Sequence, residues 1–217
     1  MPRESKKSKQ ERATRIVSTL AEVYPDAHCE LNYTSPLELL IATILSAQCT
    51  DKQVNIVTVT LFKSYQSAQA FAEAPLGELE NSIRRIGLFR SKAKNIKACC
   101  QTLIDQFNGD VPQTMEHLIS LAGVGRKTAN VVLGNAFDIN LGVVVDTHVG
   151  RLAQRFRLTK ETSPEKIEKD LQELIPQAQW MMLSHWLIWH GRRRCSARNP
   201  KCADCELSHL CPSADKA

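Results

Sequence analysis

The sequence of 217 residues lacks any long hydrophobic run, any repeated unit and any low-complexity segment. Its most apolar stretch, residues 37–45, is far shorter than the roughly 20 residues of a membrane-spanning helix. The first twelve residues, MPRESKKSKQER, are polar and basic and contain no apolar core of a secretory signal. These absences argue against a membrane partner, and we expect a cytoplasmic protein.

Patterns that predict a β-sheet are also missing. Residues 53–65 fit either a helix or a strand, but no other stretch offers such a strand an equally strong partner, so we predict a helix. Elsewhere the apolar residues recur at helical spacing. Gly87 and Gly191 are expected to end two of these helices. The predicted fold class is therefore all-α, with further helices at about residues 8–24, 36–48, 67–73, 76–86, 91–107, 114–121, 147–157, 164–174 and 179–190.

The net charge of +5 and the pI near 8.8 reflect a mild excess of basic residues. Such an excess favours polyanionic partners without identifying them. Its distribution is more informative, because one run of ten residues near the C-terminus holds five cations and no acid. The run is either a solvated loop or a phosphate-binding surface. Its cations are Arg192, Arg193, Arg194, Arg198 and Lys201.

Eight cysteines in a chain without an export signal favour metal ligation over a disulfide framework. Four of them form the pattern C-x6-C-x2-C-x5-C, and four thiolates hold either zinc or an iron–sulfur cluster. Zinc sites usually contain two short pairs, whereas only one pair is short here, so the wider loops favour the cluster. The predicted ligands are Cys195, Cys202, Cys205 and Cys211. We expect the other four cysteines to be core or surface thiols.

A glycine-rich stretch, LAGVGRKTANVVLGNAFDINLGVVVD, covers residues 121–146. It predicts the end of one helix, a tight Gly-Val-Gly turn, a second helix and a loop that ends in an aspartate. Gly123 and Gly125 allow a positive φ or a close approach to another surface. The turn therefore exposes backbone N–H groups at the start of the second helix, where a phosphate is favoured. Asp146 is both a natural N-cap and a candidate catalytic carboxylate.

This stretch resembles the helix-hairpin-helix motif and the following aspartate loop of DNA glycosylases of the endonuclease III family. With the cysteine pattern, the resemblance covers the chain from about Ser35 to Cys211. It implies two all-α domains with a DNA groove and the active site between them. One is expected to be a six-helix barrel of residues 30–139, and the other to join residues 1–29 to residues 140–217 with a [4Fe–4S] cluster loop. We further expect a monomer that works in the bacterial nucleoid.

By this resemblance, Lys127 is the nucleophile and Asp146 is its essential partner. Departure of a base leaves positive charge on the deoxyribose, which a carboxylate stabilises. A lysine kept partly neutral by the helix N-terminus and by burial can attack C1′. The Schiff base that follows makes C2′ acidic, so β-elimination cuts the strand 3′ to the abasic site. The implied substrate is duplex DNA that contains oxidised pyrimidines or abasic sites.

The resemblance assigns further residues to DNA. Gln48 would fill the space left by the flipped nucleotide, and Leu88 would wedge against the opposite strand. Asp51 would line the substrate pocket, with helix capping as the plain alternative. His148 is a further DNA-binding residue near the pocket, with a polar residue of the first helical turn as the plain alternative. The set expected to contact the DNA backbone comprises Gly123, Val124, Gly125, Arg126 and Thr128. The cluster would hold the basic loop with Arg194, Arg198 and Lys201 against DNA.

Several alternatives remain open. An adenine mismatch glycosylase shares the hairpin, the aspartate and the cluster, but that family has a glutamate where this chain has Thr43 and usually a serine where it has Lys127. Thymine-mismatch relatives usually have a tyrosine at the lysine position, whereas a pyrimidine-dimer glycosylase keeps every motif named above. From other classes, an electron-transfer protein leaves the hairpin unexplained. A non-catalytic hairpin module that binds DNA has no need of Lys127 together with Asp146.

Overall fold

The computed structural model describes residues 4–214, which form helices and no β-strand. The predicted all-α fold class agrees with this, and the ambiguous stretch near residues 53–65 is helical. No helix in this part of the chain is long and apolar enough to cross a membrane. The α-helices are α1 (Lys6–Val23), α2 (Pro36–Ser46), α3 (Asp51–Ser64), α4 (Ala68–Glu73), α5 (Leu76–Ser82), α6 (Phe89–Phe107), α7 (Met115–Ser120), α8 (Arg126–Phe137), α9 (Thr147–Arg155), α10 (Pro164–Leu174) and α11 (Trp180–Arg193). Two 3₁₀ turns lie at Gln177–Gln179 and Ser208–Leu210.

The chain folds into two compact units. The first, which we call the hairpin unit, is the continuous segment Cys29–Ile139. The second, the cysteine unit, combines the chain before and including His28 with the chain from Asn140 onward. Each unit has its own hydrophobic core.

The hairpin unit is built around α2. Ser35 caps the helix by accepting a hydrogen bond from the backbone of Glu38. The Glu38 carboxylate reaches back to the backbone N–H of Thr34, one residue before the N-cap, so the arrangement resembles the predicted capping box but is shifted by one residue. Every residue from Leu39 to Leu45 is buried, as expected for a central helix. The unit contains seven α-helices, one more than the six of the implied barrel. Pro75 separates α4 from α5, because proline cannot continue a helix.

The prediction that Gly87 ends a helix in a left-handed conformation is wrong. Leu88, not the glycine, takes the left-handed conformation, with φ 58°, and it is the N-cap of α6. A Cβ at residue 87 would lie 3.7 Å from the carbonyl oxygen of Gln48. The turn before α6 therefore lies beside the turn after α2.

The cysteine unit packs α1, α9, α10 and α11 around a core that includes Leu20, Leu152 and Phe156. The prediction that Gly191 ends the last helix is wrong, because α11 continues to Arg193. A Cβ at Gly191 would lie 2.9 Å from Nδ1 of His148. This glycine therefore permits a close helix contact rather than a helix end.

Candidate active site and cysteine loop

The hairpin turn needs glycine at only one of its two glycine positions. Gly123 has φ 78°, and a Cβ there would lie 3.0 Å from the Cβ of Asn95 on α6. Gly125 has an extended conformation, with φ −97°, and open space around the position of a Cβ. Gly123 thus has the positive φ that the sequence allowed, whereas Gly125 has an ordinary φ and the approach of another molecule to it stays a prediction. The buried Val124 anchors the turn, with its backbone N–H bonded to Leu121.

The start of α8 offers its backbone N–H groups to a ligand. Gly125 is the N-cap and supplies no side-chain hydrogen bond to the helix. Unsatisfied N–H groups and the helix dipole favour an anion at such a terminus. Arg126 is exposed and Thr128 is half-buried beside it. This terminus has the local geometry of a phosphate site.

Lys127 lies in the first turn of α8 and is exposed. The expected burial of this lysine is therefore wrong. Exposure leaves the amine accessible to a macromolecular substrate.

Asp146 caps α9. Its Oδ1 accepts hydrogen bonds from the backbone N–H groups of His148 and Val149, each at 2.8 Å. Oδ2 has no hydrogen-bond donor among the residues that the structure describes. Asp146 can therefore serve both as the N-cap of α9 and as a catalytic carboxylate. Capping uses Oδ1 and leaves Oδ2 available to a substrate. The half-buried position of Asp146 limits its rotamers without excluding solvent.

His148 and Arg151 connect the start of α9 to the end of α11. Burial lowers the pKa of His148, helped by Arg151 and Arg192 and opposed by Asp146. Nη2 of Arg151 lies 3.2 Å from Nδ1 of His148 and donates to the carbonyl oxygens of Gly191 and Cys195, both at 3.0 Å. The ring is therefore held against the helix end rather than free to reach outward. Arg151 was not predicted from the sequence.

Gln48 and Leu88 share an uncommon conformation. Both take left-handed φ angles, 54° and 58°, and both side chains are exposed, Leu88 to 60%. A left-handed conformation costs about 1–2 kcal/mol for a residue with a side chain. Two exposed side chains held at that cost in adjacent turns mark a candidate functional surface.

Asp51 begins α3 but does not cap it. Thr50 accepts the capping hydrogen bond from the Gln53 backbone. The alternative prediction that Asp51 is the helix cap is therefore wrong. Asp51 is half-buried and lines a shallow pocket with Glu30, Asn55 and Ile56. That pocket does not include Gln48.

The four predicted ligand cysteines line one cavity, together with Arg155 and His190. None of them forms a disulfide. Nη1 of Arg155 donates to the Sγ of Cys195 at 3.1 Å, and its guanidinium also donates to the carbonyl oxygens of Ser196 and Ala197. Arg155 was missed from the sequence, although it lies one helical turn after Arg151 on the same face of α9.

Comparison with known proteins identifies the family. A family model described as an HhH-GPD superfamily base excision DNA repair protein matches residues 41–177. Endonuclease III of Synechocystis sp. is 55% identical over 95% of this chain and 94% of its own length. The chain belongs to the endonuclease III family. The predictions of this family, of an all-α fold and of a base-excision repair enzyme are confirmed.

Two solved structures are also similar. They are a non-covalent endonuclease III–DNA complex and a trapped endonuclease III–DNA covalent intermediate. Each is 45% identical to this chain, covers 95% of it with 97% of its own chain, and has a TM-score of 0.91. A second family model, the iron–sulfur binding domain of endonuclease III, matches residues 195–211. The predicted iron–sulfur cofactor is confirmed over zinc.

The cysteine cavity fits an iron–sulfur cluster of this family. Cys195, Cys202, Cys205 and Cys211 line one cavity, and four thiolates are the ligand set of a [4Fe–4S] cluster. Burial raises the pKa of the Cys205 and Cys211 thiols, so a cationic centre is needed to keep both as thiolates.

Some cations of the basic run contact other side chains of the protein, and others lie on the loop between the first two cysteines. Arg194 forms an ion pair with Glu206 at 2.7 Å, and the guanidinium of Arg193 lies 3.6 Å from the ring centroid of Trp189. Arg198 and Lys201 are exposed on the loop between the first two cysteines. The loop therefore offers two accessible cations from the predicted set, whereas Arg194 acts as a brace.

Proposed function

We propose that this protein is a DNA glycosylase and abasic-site lyase that removes oxidised pyrimidines from duplex DNA. The observation that carries the proposal is the exposed Lys127 in the first turn of α8, next to the uncapped N-terminus of a hairpin helix. A phosphate at that terminus brings the sugar of the same strand near the amine. A non-catalytic hairpin needs the N–H groups but not a lysine that the helix dipole disfavours.

The proposed reaction begins at C1′ of the damaged nucleotide. The neutral amine of Lys127 forms a bond to C1′ while the glycosidic bond breaks. The electron pair of the glycosidic bond leaves with the base, which gains a proton. Opening of the sugar ring converts the adduct to a protonated imine. Loss of a C2′ proton then breaks the C3′–O bond and releases the 3′ side of the strand. The trapped covalent intermediate of a relative that is 45% identical supports this route.

Asp146 is proposed to stabilise the positive charge that develops on the sugar. Oδ1 is held by two backbone N–H groups, which fix the carboxylate in one orientation. Oδ2 is then available to the sugar or to the proton lost from the amine. Replacing the carboxylate by an amide keeps the cap but removes the charge.

Gln48 and Leu88 are proposed to keep the damaged nucleotide out of the helix. Their exposed side chains project from adjacent turns in strained conformations, which supports insertion into a duplex. We assign the phosphate contacts to the hairpin backbone of Gly123, Val124 and Gly125 and to Arg126 and Thr128. We propose that Asp51 and His148 lie near the pocket for the damaged base. Arg198 and Lys201 are proposed to contact the DNA backbone.

The iron–sulfur cluster, once bound, would crosslink the four cysteines and so fix the loop that carries Arg198 and Lys201. Cys195, Cys202, Cys205 and Cys211 would hold it as thiolates, with Arg155 donating to Cys195. We propose that the protein acts as a monomer on nucleoid DNA. A single copy carries Lys127, Asp146 and the cysteine set.

Borohydride trapping tests the proposal. The holoenzyme is incubated with a duplex that contains thymine glycol, and a parallel duplex carries an abasic site. We expect a covalent protein–DNA band on both, which Lys127→Ala abolishes and Asp146→Asn reduces on the thymine glycol duplex. Trapping on the abasic-site duplex alone would support the lyase activity and contradict the proposal that oxidised pyrimidines are the substrate. Failure to trap either substrate with a loaded cluster would favour the non-catalytic alternative.

A further inference from the structure

Lys92 on α6 is a buried lysine without a carboxylate partner in the described chain. Its exposed fraction is 4%, and Nζ donates to the carbonyl oxygens of Leu45 at 2.9 Å and Ala47 at 2.6 Å. These carbonyls belong to the end of α2, where the last oxygens lack partners within the helix. Lys92, which lies on α6, therefore caps the C-terminal carbonyl groups of α2. Burial lowers its pKa, as expected for an ammonium group removed from water.

The turn that Lys92 holds is the one that carries Gln48. Ala47 is the C-cap of α2, and Gln48 follows it with a left-handed φ. On the other side, the backbone N–H of Lys92 donates to the carbonyl oxygen of Leu88 at 3.0 Å. One residue thus bonds to the turn of Gln48 through its side chain and to the turn of Leu88 through its backbone.

The same face of α6 also contacts the hairpin. Residues 88, 92 and 95 are spaced by four and three positions, which places them on one side of a helix. Asn95 lies against Gly123, within 3.0 Å of the position of a Cβ. The helix therefore aligns three elements within the hairpin unit, the Leu88 turn, the Gln48 turn and the hairpin turn.

We propose that Lys92 is a positioning residue that sets the Gln48 turn against the Leu88 turn, so that both side chains enter the duplex together. The inference rests on the proposed function, because it concerns extrusion of the base rather than the chemistry at Lys127. A buried charge is costly compared with an apolar residue of the same length. Its use here supplies two directed hydrogen bonds that an apolar side chain cannot replace.

Lys97 provides a matched control on the same helix. Its Nζ donates to the carbonyl oxygens of Ala72 and Ala74 at the end of α4, the latter at 2.6 Å. Lys97 thus joins α6 to a helix end in the same way as Lys92, but at a turn that carries neither Gln48 nor Leu88. A purely structural role predicts similar consequences for loss of either lysine.

The test compares Lys92→Met, Lys92→Arg and Lys97→Met as loaded holoenzymes. Single-turnover rates are measured for excision of thymine glycol and for cleavage of a preformed abasic site. For Lys92→Met we expect excision to fall about 10-fold or more and abasic cleavage to change less than about 3-fold, because only excision requires a base to be extruded from the stack. Lys97→Met should change both rates by less than about 3-fold, and Lys92→Arg should recover most of the excision rate.

Amide hydrogen exchange of residues 46–50 gives a second readout that does not depend on activity. Lys92→Met should accelerate exchange there, whereas Lys97→Met should not. The inference is overturned if Lys92→Met loses excision and abasic cleavage equally. It is also overturned if Lys97→Met loses excision relative to abasic cleavage as strongly as Lys92→Met does. If Lys92→Met does not fold, Lys92→Gln is judged by the same ratio. A wild-type protein that excises nothing contradicts the proposed function, and the exchange data then decide the role of Lys92 separately.

Discussion

The hairpin unit and the loop that carries the four cysteines are stabilised by different means. The hairpin unit is one continuous segment, and Ser35, Thr50, Ser67 and Thr114 cap four of its helices through their side chains. In the cysteine unit the loop from Cys195 to Ala214 buries only Leu207 and Leu210. Apolar packing and helix caps therefore hold Gln48, Leu88 and the hairpin, whereas the loop of Arg198 and Lys201 relies on the cysteines and on hydrogen bonds from Arg155. We therefore expect loss of the cluster to affect one of the two proposed DNA-binding surfaces and to spare the other.

Removal of the cluster should have the largest effect and should be confined to the cysteine unit. For Cys205→Ala we expect rapid amide exchange over residues 195–214 and protection of α2 and α8 close to that of the wild type. Loss of the loop cations should weaken binding to undamaged duplex by about 10-fold and reduce its salt dependence. Cys29→Ala, which changes a cysteine outside the ligand set, serves as the control. Equal loss of protection in α2 would contradict the comparison.

Gly123→Ala should have the next largest effect and act on the hairpin unit. The side chain must occupy a positive φ and approach Asn95 to 3.0 Å, so we expect the free energy of unfolding to fall by about 1–3 kcal/mol. Thermal or denaturant unfolding measures this change, with duplex affinity as the functional readout. Gly125→Ala is the matched control for stability alone, because its φ is ordinary and its Cβ position is open, whereas its proposed phosphate contact makes its duplex affinity no control. Similar destabilisation by both substitutions would show that the Asn95 contact is not the cause.

Acid should destabilise the cysteine unit through a buried histidine. Burial, with a smaller contribution from His28, lowers the pKa of His185 to about 4. As the pH falls from about 6.5 towards 4, the unfolded chain binds a proton that the folded chain excludes, so stability is lost across that window. The full loss is about 3 kcal/mol. Unfolding midpoints between these pH values should depend less on pH in His185→Gln than in the wild type, and equal slopes in the two proteins would contradict this role of the histidine.

Leu88→Gly should produce the smallest change in stability and a change of opposite sign. Glycine relieves the left-handed conformation, so we expect the hairpin unit to gain up to about 1 kcal/mol. Excision of a damaged base should nevertheless fall about 10-fold, because the wedge is lost. Unfolding and single-turnover excision measured on the same preparation check both parts. A loss of stability would show that the side chain of Leu88 contributes to the fold rather than to DNA.

Local sequence patterns were sufficient for the existence of the helices, the N-cap at Ser35, the hairpin and the grouping of four cysteines around one cavity. They failed where a distant contact decides the conformation. Gly191 lies within α11, where its lack of a side chain leaves room for His148, and Leu88 takes the left-handed conformation that was expected at Gly87. The exposure of Lys127 and the hydrogen bonds of Arg155 also depend on tertiary packing, which neither composition nor spacing records.

Peptide mapping of the borohydride-stabilised complex tests the central assignment most directly. After trapping on a duplex with an abasic site, the protein is digested with nuclease and protease, and the peptide that carries the sugar remnant is sequenced by mass spectrometry. The account predicts the remnant on Lys127, with Lys92 and Lys97 unmodified. A remnant on another lysine or on the N-terminal amine would contradict it.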